Sequence, residues 1–196
     1  TFEHAGGLST RSCKFGNTQT RPSLPWEPDE PAHVAESIAL MKLSHAVITA
    51  VDRDDLPDLG AAHWAQTIRE IKRLNPETTT EVLIPDFQGR KELVDQVIKA
   101  CPEIISHNME TVKRISPQVR SAANYHTSLE VIRQKDESGI TAKSGIMVGL
   151  GETPAEVEEL MDDLISVGCK ILTIGQYLQP THKHFPVAAY ITPEQF

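Results

Sequence analysis

Apolar positions along the chain follow two periods in alternation. Ala46-Val47-Ile48-Thr49-Ala50-Val51 is a short, β-branched apolar run of the kind a strand buried on both faces needs. Similar runs recur at 81–84, 103–107, 142–148 and 171–174, and a weaker one opens the chain over 1–5. Between them the apolar residues fall at helical spacing over 32–43, 61–74, 93–100, 127–137 and 154–167, with a short helix over 109–114. Pro31 suits a first helical turn. Asn75-Pro76 stops the second helix, Pro85-Asp86 closes the third strand, and Gly139 and Gly168 end two later helices. Residues 18–31 are polar and proline-rich and read as an ordered loop. The alternation predicts an α/β fold on a parallel sheet. Six strands with five or six crossovers in 196 residues make a partial (β/α)6 barrel, three-quarters of the eight-unit form, as a single domain over 1–196.

In such barrels the chemistry sits where the strands end. Polar residues gather there: Asp52-Arg53-Asp54-Asp55 after the second strand, Asp86 after the third, and His107-Asn108 with Glu110 after the fourth. Gly149, Gly151 and Glu152 follow the fifth, and Gln176 and Gln179 the sixth. The competing explanation is that loops are wet and polar residues simply follow strands. Taken singly, Glu152 could cap a helix, and Asp54 or Asp55 could cap the next segment.

Charge and cysteine content narrow the classes of function. A net charge of -8 with no block of Lys or Arg excludes nucleic acid as a main partner. No run nears the roughly 20 apolar residues of a membrane span. No signal peptide is visible, and a chain opening on Thr1 implies residues upstream. Cys13, Cys101 and Cys169 are odd in number and far apart, which is no disulfide framework and points to a reducing compartment. Cys101 and Cys169 read as small buried hydrophobes near helix ends. Glu3, His4 and Cys13 match no zinc spacing.

Several longer stretches carry a family likeness. Ala50-Val51-Asp52-Arg53-Asp54-Asp55-Leu56, Ile84-Pro85-Asp86-Phe87-Gln88-Gly89, His107-Asn108-Met109-Glu110-Thr111 and 144–153 resemble lipoyl synthases, as do 173–181 and the ending Tyr190-Ile191-Thr192-Pro193-Glu194-Gln195-Phe196. That family belongs to the radical S-adenosylmethionine enzymes. The resemblance implies S-adenosylmethionine and iron–sulfur clusters as cofactors, and sulfur insertion into an octanoyl chain on a lipoyl-carrier protein as the reaction. Carried over by position, Asp52 faces the methionine end of S-adenosylmethionine, and Asn108 and Glu110 the ribose. Gly145, Gly149 and Glu152 lie beside the adenine, and Gln176 lines the sixth strand end. The bacterial cytoplasm and the mitochondrial matrix both suit the family.

The family holds its radical-generating cluster by C-x-x-x-C-x-x-C. Aligned on Thr10-Arg11-Ser12-Cys13-Lys14-Phe15, this chain has Ser9 at the first position and Gly16 at the third, so Cys13 alone remains as a metal ligand. Gly7 stands where the family has Asp, and a Gly between Thr20 and Arg21 is missing. The segment holding the family's auxiliary cluster would precede Thr1, and a tail supplying a serine ligand would follow Phe196. Soft iron needs soft thiolates. Three readings follow: a lipoyl-synthase-type core inactive as written, an active lipoyl synthase with a missing or misread cluster region, and a non-catalytic scaffold or partner-binding subunit.

Overall fold

The computed structural model describes residues 2–4, 9–11, 13–16, 27–120 and 122–196. Most of the proline-rich 18–31 stretch, residues 18–26, lies outside them. Six strands form one sheet in chain order, every neighbouring pair parallel. They are β1 (Phe2–His4), β2 (His45–Ala50), β3 (Thr79–Leu83), β4 (Ile104–Ser106), β5 (Thr141–Val148) and β6 (Ile171–Gln176). The crossovers carry α1 (Glu30–Met41), α2 (Ala61–Leu74), α3 (Lys91–Ile98), the one-turn α4 (Ser116–Val119), α5 (Tyr125–Glu137) and α6 (Pro154–Ser166). This is the α/β arrangement the periodicity predicts, and strand-crossover-parallel strand repeats all send their C-terminal ends to one rim.

Alternation along the strands sorts the two faces. Ala46, Ile48, Val82 and Ile105 are buried and pack with Ile38, Ile68, Ile71 and Val94 of the helices. A second cluster joins Ala142, Ile146 and Val148 of β5 to Ile132, Leu160 and Leu164. The intervening positions Val47, Thr49, Leu83, Lys143 and Met147 face the other side and are only half-buried. On that side the buried Glu81 carboxylate accepts from Lys143 Nζ at 2.8 Å and from Ser106 Oγ at 2.9 Å, which compensates its loss of water.

Two local expectations are corrected. The helix predicted over 109–114 is absent. β5 runs on past the end of β4, leaving Gly145 C=O and Met147 N–H to be satisfied. Glu110 does this from a left-handed backbone (φ 64°): its N–H donates to Gly145 O at 3.0 Å and its carbonyl accepts from Met147 N at 2.8 Å. The helical turn comes later, as α4. Cys101 is exposed, because α3 is followed by a left-handed turn (φ 57°) at that residue, and Cys169 is half-buried.

Candidate functional site

The loop after β1 docks onto the ends of β2 and β3. Thr10 donates through its N–H (3.0 Å) and its hydroxyl (2.9 Å) to Asp52 O, and Asp54 N–H donates back to Thr10 Oγ1 at 2.9 Å. Arg11 then reaches along the rim. Its Nε and Nη2 donate to the two oxygens of Asp54 at 2.6 and 2.8 Å, its Nη1 lies 2.9 Å from Asp86 Oδ1, and its Nε 3.7 Å from Asp52 Oδ1. Further on, Lys14 N–H donates to Val119 O and Lys14 O accepts from Phe185 N–H.

Asp86 owes its position to a tight turn after β3. Phe87 and Gln88 both take left-handed backbone (φ 45° and 53°), a conformation that costs a non-glycine residue about 1–2 kcal/mol. Complete burial of the Phe87 ring and the Gln88 N–H donated to Asp86 Oδ1 at 3.0 Å offset that cost.

Two adjoining cavities open at this rim. One, of about 160 Å³, is lined by Cys13, Asp52, Asp86, Asn108, Glu110 and Arg120, among others. The other, of about 170 Å³, is lined by Ser9, Arg11, Cys13, Phe15, Gly16 and Asp52. Cys13 and Asp52 border both. Burial pushes the Asp52 carboxyl up from its ordinary value, against the pull of Arg11. Asp54, bonded to Arg11, is held below the usual carboxylate range. Burial also pushes Glu110 up, opposed by Arg120 and by a hydrogen bond from Asn108. Burial lowers Arg120, while Glu110 and Asp86 support its charge.

His107 serves as a strut. Its Nδ1 lies 2.9 Å from Ile84 O, which can only accept, so the neutral ring carries its proton there. Its Nε2 then accepts from Ser128 Oγ at 2.9 Å, and Ser128 in turn accepts from Arg120 Nη1 at 3.1 Å. A second bond from Arg120 Nη1, to Met109 O at 3.3 Å, fixes the guanidinium at the cavity wall.

Of the residues singled out from the sequence, Cys13, Asp52, Asn108 and Glu110 share the first cavity. Gly145 lies on β5 beneath Asn108: a Cβ there would stand 2.8 Å from Asn108 Oδ1. Gly149, Glu152 and Gln176 gather elsewhere. Gly149 turns at φ 96°, and Glu152 accepts from the N–H groups of Gly149 (2.5 Å) and Leu150 (2.9 Å). Gln176 ties down the C-terminal segment, donating to Ala189 O at 3.1 Å and accepting from Ile191 N–H at 2.8 Å. Glu152 also lines a third cavity of about 230 Å³ between α6 and that segment. The cap of the segment after β2 is Asp58, whose carboxylate accepts from Gly60 and Ala62 N–H; Asp54 and Asp55 are bonded to Arg11 and Arg53. Arg11 and Arg120 were not singled out. The density of carboxylates at the rim was the one signal for Arg11; nothing periodic marks Arg120.

The donor set at positions 9, 13 and 16 does not fit an iron–sulfur cluster. Ser9 is buried, and its hydroxyl is engaged: it donates to Asp52 Oδ2 at 3.5 Å and accepts from Arg11 N–H at 3.1 Å. Ligating iron would demand an alkoxide facing that carboxylate. Gly16 brings no donor, although a Cβ there would meet nothing within 4 Å. Cys13 alone supplies sulfur, and no group of three His, Cys, Asp or Glu among the described residues could hold a metal ion. No described helix is long and apolar enough to cross a membrane.

Comparison with known proteins places this geometry. The chain is 92% identical over 196 residues to a lipoyl synthase of Bacteroides fragilis (strain YCH46), covering all of this chain and 68% of that protein. It is 76% identical to the lipoyl synthase of Phocaeicola vulgatus, covering 69% of it. Among solved structures, Streptococcus suis SuiB bound to S-adenosylmethionine superposes with a TM-score of 0.76 at 10% identity, over 96% of this chain and 43% of that one. Methylornithine synthase gives 0.74 at 9% identity, over 96% and 56%. These two likenesses show the fold, an α/β partial barrel. Residues 11–164 match the Radical SAM superfamily, whose cofactors are S-adenosylmethionine and an iron–sulfur cluster. The chain belongs to the lipoyl synthase family of the Radical SAM superfamily.

Proposed function

We propose that residues 1–196 form the single core domain of a lipoyl-synthase-type enzyme that is inactive as written. The family substrate would be an octanoyl chain carried on a lipoyl-carrier protein, and the relatives' bacterial origin favours the cytoplasm. Ser9 carries the reading: its hydroxyl is spent on Asp52 and Arg11 where a thiolate is needed, and Gly16 leaves a second ligand position empty of any donor. S-adenosylmethionine, reduced at a cluster, supplies the radical chemistry in this superfamily.

What this chain's own residues retain is a polar cavity. In it Asp52 would accept from the amino group of S-adenosylmethionine, and Asn108 and Glu110 from the ribose hydroxyls. Gly145 would lie beside the adenine and make room for the Asn108 side chain, with Gly149 and Glu152 shaping the turn beyond it and Gln176 holding the covering segment. The test is production of 5′-deoxyadenosine by the reconstituted, reduced chain. None is expected above a no-protein control, and its formation in proportion to protein would overturn the reading.

A second reading is an active lipoyl synthase whose codons 9 and 16 encode cysteine. The identity of 92% along the whole chain favours it. Resequencing the two codons decides it: Ser and Gly there exclude it.

A further inference from the structure

We infer that Arg11 is the positioning residue of the 9–16 loop: clamped by Asp54, Asp86 and Asp52, it holds the loop's first half, residues 9–11, on the barrel rim. The inference deepens the proposed function and rests on its assignment of this loop. Its experiment reads the loop without iron, so the two fail separately.

The argument starts from the bonds. Asp54 and Asp86 belong to loops after different strands, β2 and β3, and one guanidinium spans both, at 2.6 and 2.8 Å to Asp54 and 2.9 Å to Asp86. The planar fork of arginine gives two parallel bonds to one carboxylate and a third to another from fixed positions, which suits it to this bridge. Its side chain is 7% exposed, so these bonds are little screened by water. Without Arg11, the carboxylates of Asp52, Asp54 and Asp86 would lose the one side chain paired with all three. Their repulsion would open the junction that Thr10 closes with Asp52 and Asp54.

The second half of the loop has separate anchors: Lys14 N–H on Val119 O and Phe185 N–H on Lys14 O. The clamp therefore governs residues 9–11, the half that carries Ser9. Thr10 and Arg11 thus bring position 9 to the wall of the cavity it shares with Cys13 and Gly16.

The test is amide hydrogen exchange on the iron-free chain, comparing Arg11→Met and Arg11→Lys with the parent. For Arg11→Met we expect about 10- to 100-fold faster exchange at Thr10 and Asp54 N–H, the size of effect seen on losing hydrogen bonds to charged groups. Lys14 N–H and the amides of β2 and β3 should keep their rates, and Arg11→Lys should fall between. Unchanged exchange at Thr10 and Asp54 would overturn the inference. So would an equal loss of protection across β2 and β3, which would make Arg11 a general stability residue. If Arg11→Met does not fold, Asp54→Asn breaks the bidentate pair at the rim and is read at Thr10 by the same criteria.

Discussion

The side-chain amide of Gln176 occupies the space that a Cβ on Gly149 would need. Gly149 turns there at φ 96°, and Gln176 uses the space to bond Tyr177 O and Ala189 O and to receive Ile191 N–H. The ends of β5 and β6 and the C-terminal segment thus share one joint. Gly149→Ala adds both a left-handed non-glycine residue and a clash with this amide, and is expected to destabilise the fold by about 2–4 kcal/mol. Urea unfolding measures it, and parent-like stability would show that the joint yields freely.

Ser128 is fully buried between His107 and Arg120, donating to one and accepting from the other. Ser128→Ala removes an acceptor from Arg120 and a donor from His107 together. A cost of about 1–3 kcal/mol is expected in chemical denaturation, because the groups left behind stay buried. A change under a few tenths would mean that water replaces the hydroxyl.

The start of α6 is closed by a reciprocal cap. Thr153 Oγ1 accepts from Glu156 N–H at 3.3 Å, and Glu156 Oε2 accepts from Thr153 N–H at 2.8 Å. Thr153→Ala is expected to cost about 1 kcal/mol, checked by thermal unfolding.

The same carboxylate sets a pH dependence. Arg114, with the Thr153 N–H, holds Glu156 down to about 2, from 4.5. A folded pKa below the unfolded one means that the unfolded chain takes up the proton first as pH falls. The contribution is therefore complete above about pH 4.5 and is lost progressively towards pH 2. Glu156→Gln should flatten stability against pH across that window and leave its shape unchanged above it. An identical acid limb in both proteins would refute the assignment.

Strand positions were legible because short apolar, β-branched runs bounded by polar and turn residues mark them, although only one face of the sheet is fully buried. α2 was legible to both ends, since Gly60 and Asn75 bound an amphipathic stretch with no rival signal. The 109–114 segment was not: its apolar spacing is helical, yet the unpaired backbone of β5 claims Glu110, a tertiary demand that no local pattern records. At the site, chain order shows which residues reach the rim but not which share a cavity. Asp52, Asn108 and Glu110 line one cavity, whereas Glu152 and Gln176 turn towards the C-terminal segment. That division depends on side-chain direction at each strand end. Arg11 carries no local signal, because its meaning lies in three carboxylates 41 or more residues away in the chain.

The most direct measurement is iron and acid-labile sulfide per chain after anaerobic reconstitution, on this chain and on Ser9→Cys/Gly16→Cys. The account predicts near-zero values for the chain as written. It predicts about four of each for the double variant, the content of one four-iron cluster on two restored thiolates and Cys13. A stoichiometric cluster on the unaltered chain would contradict it.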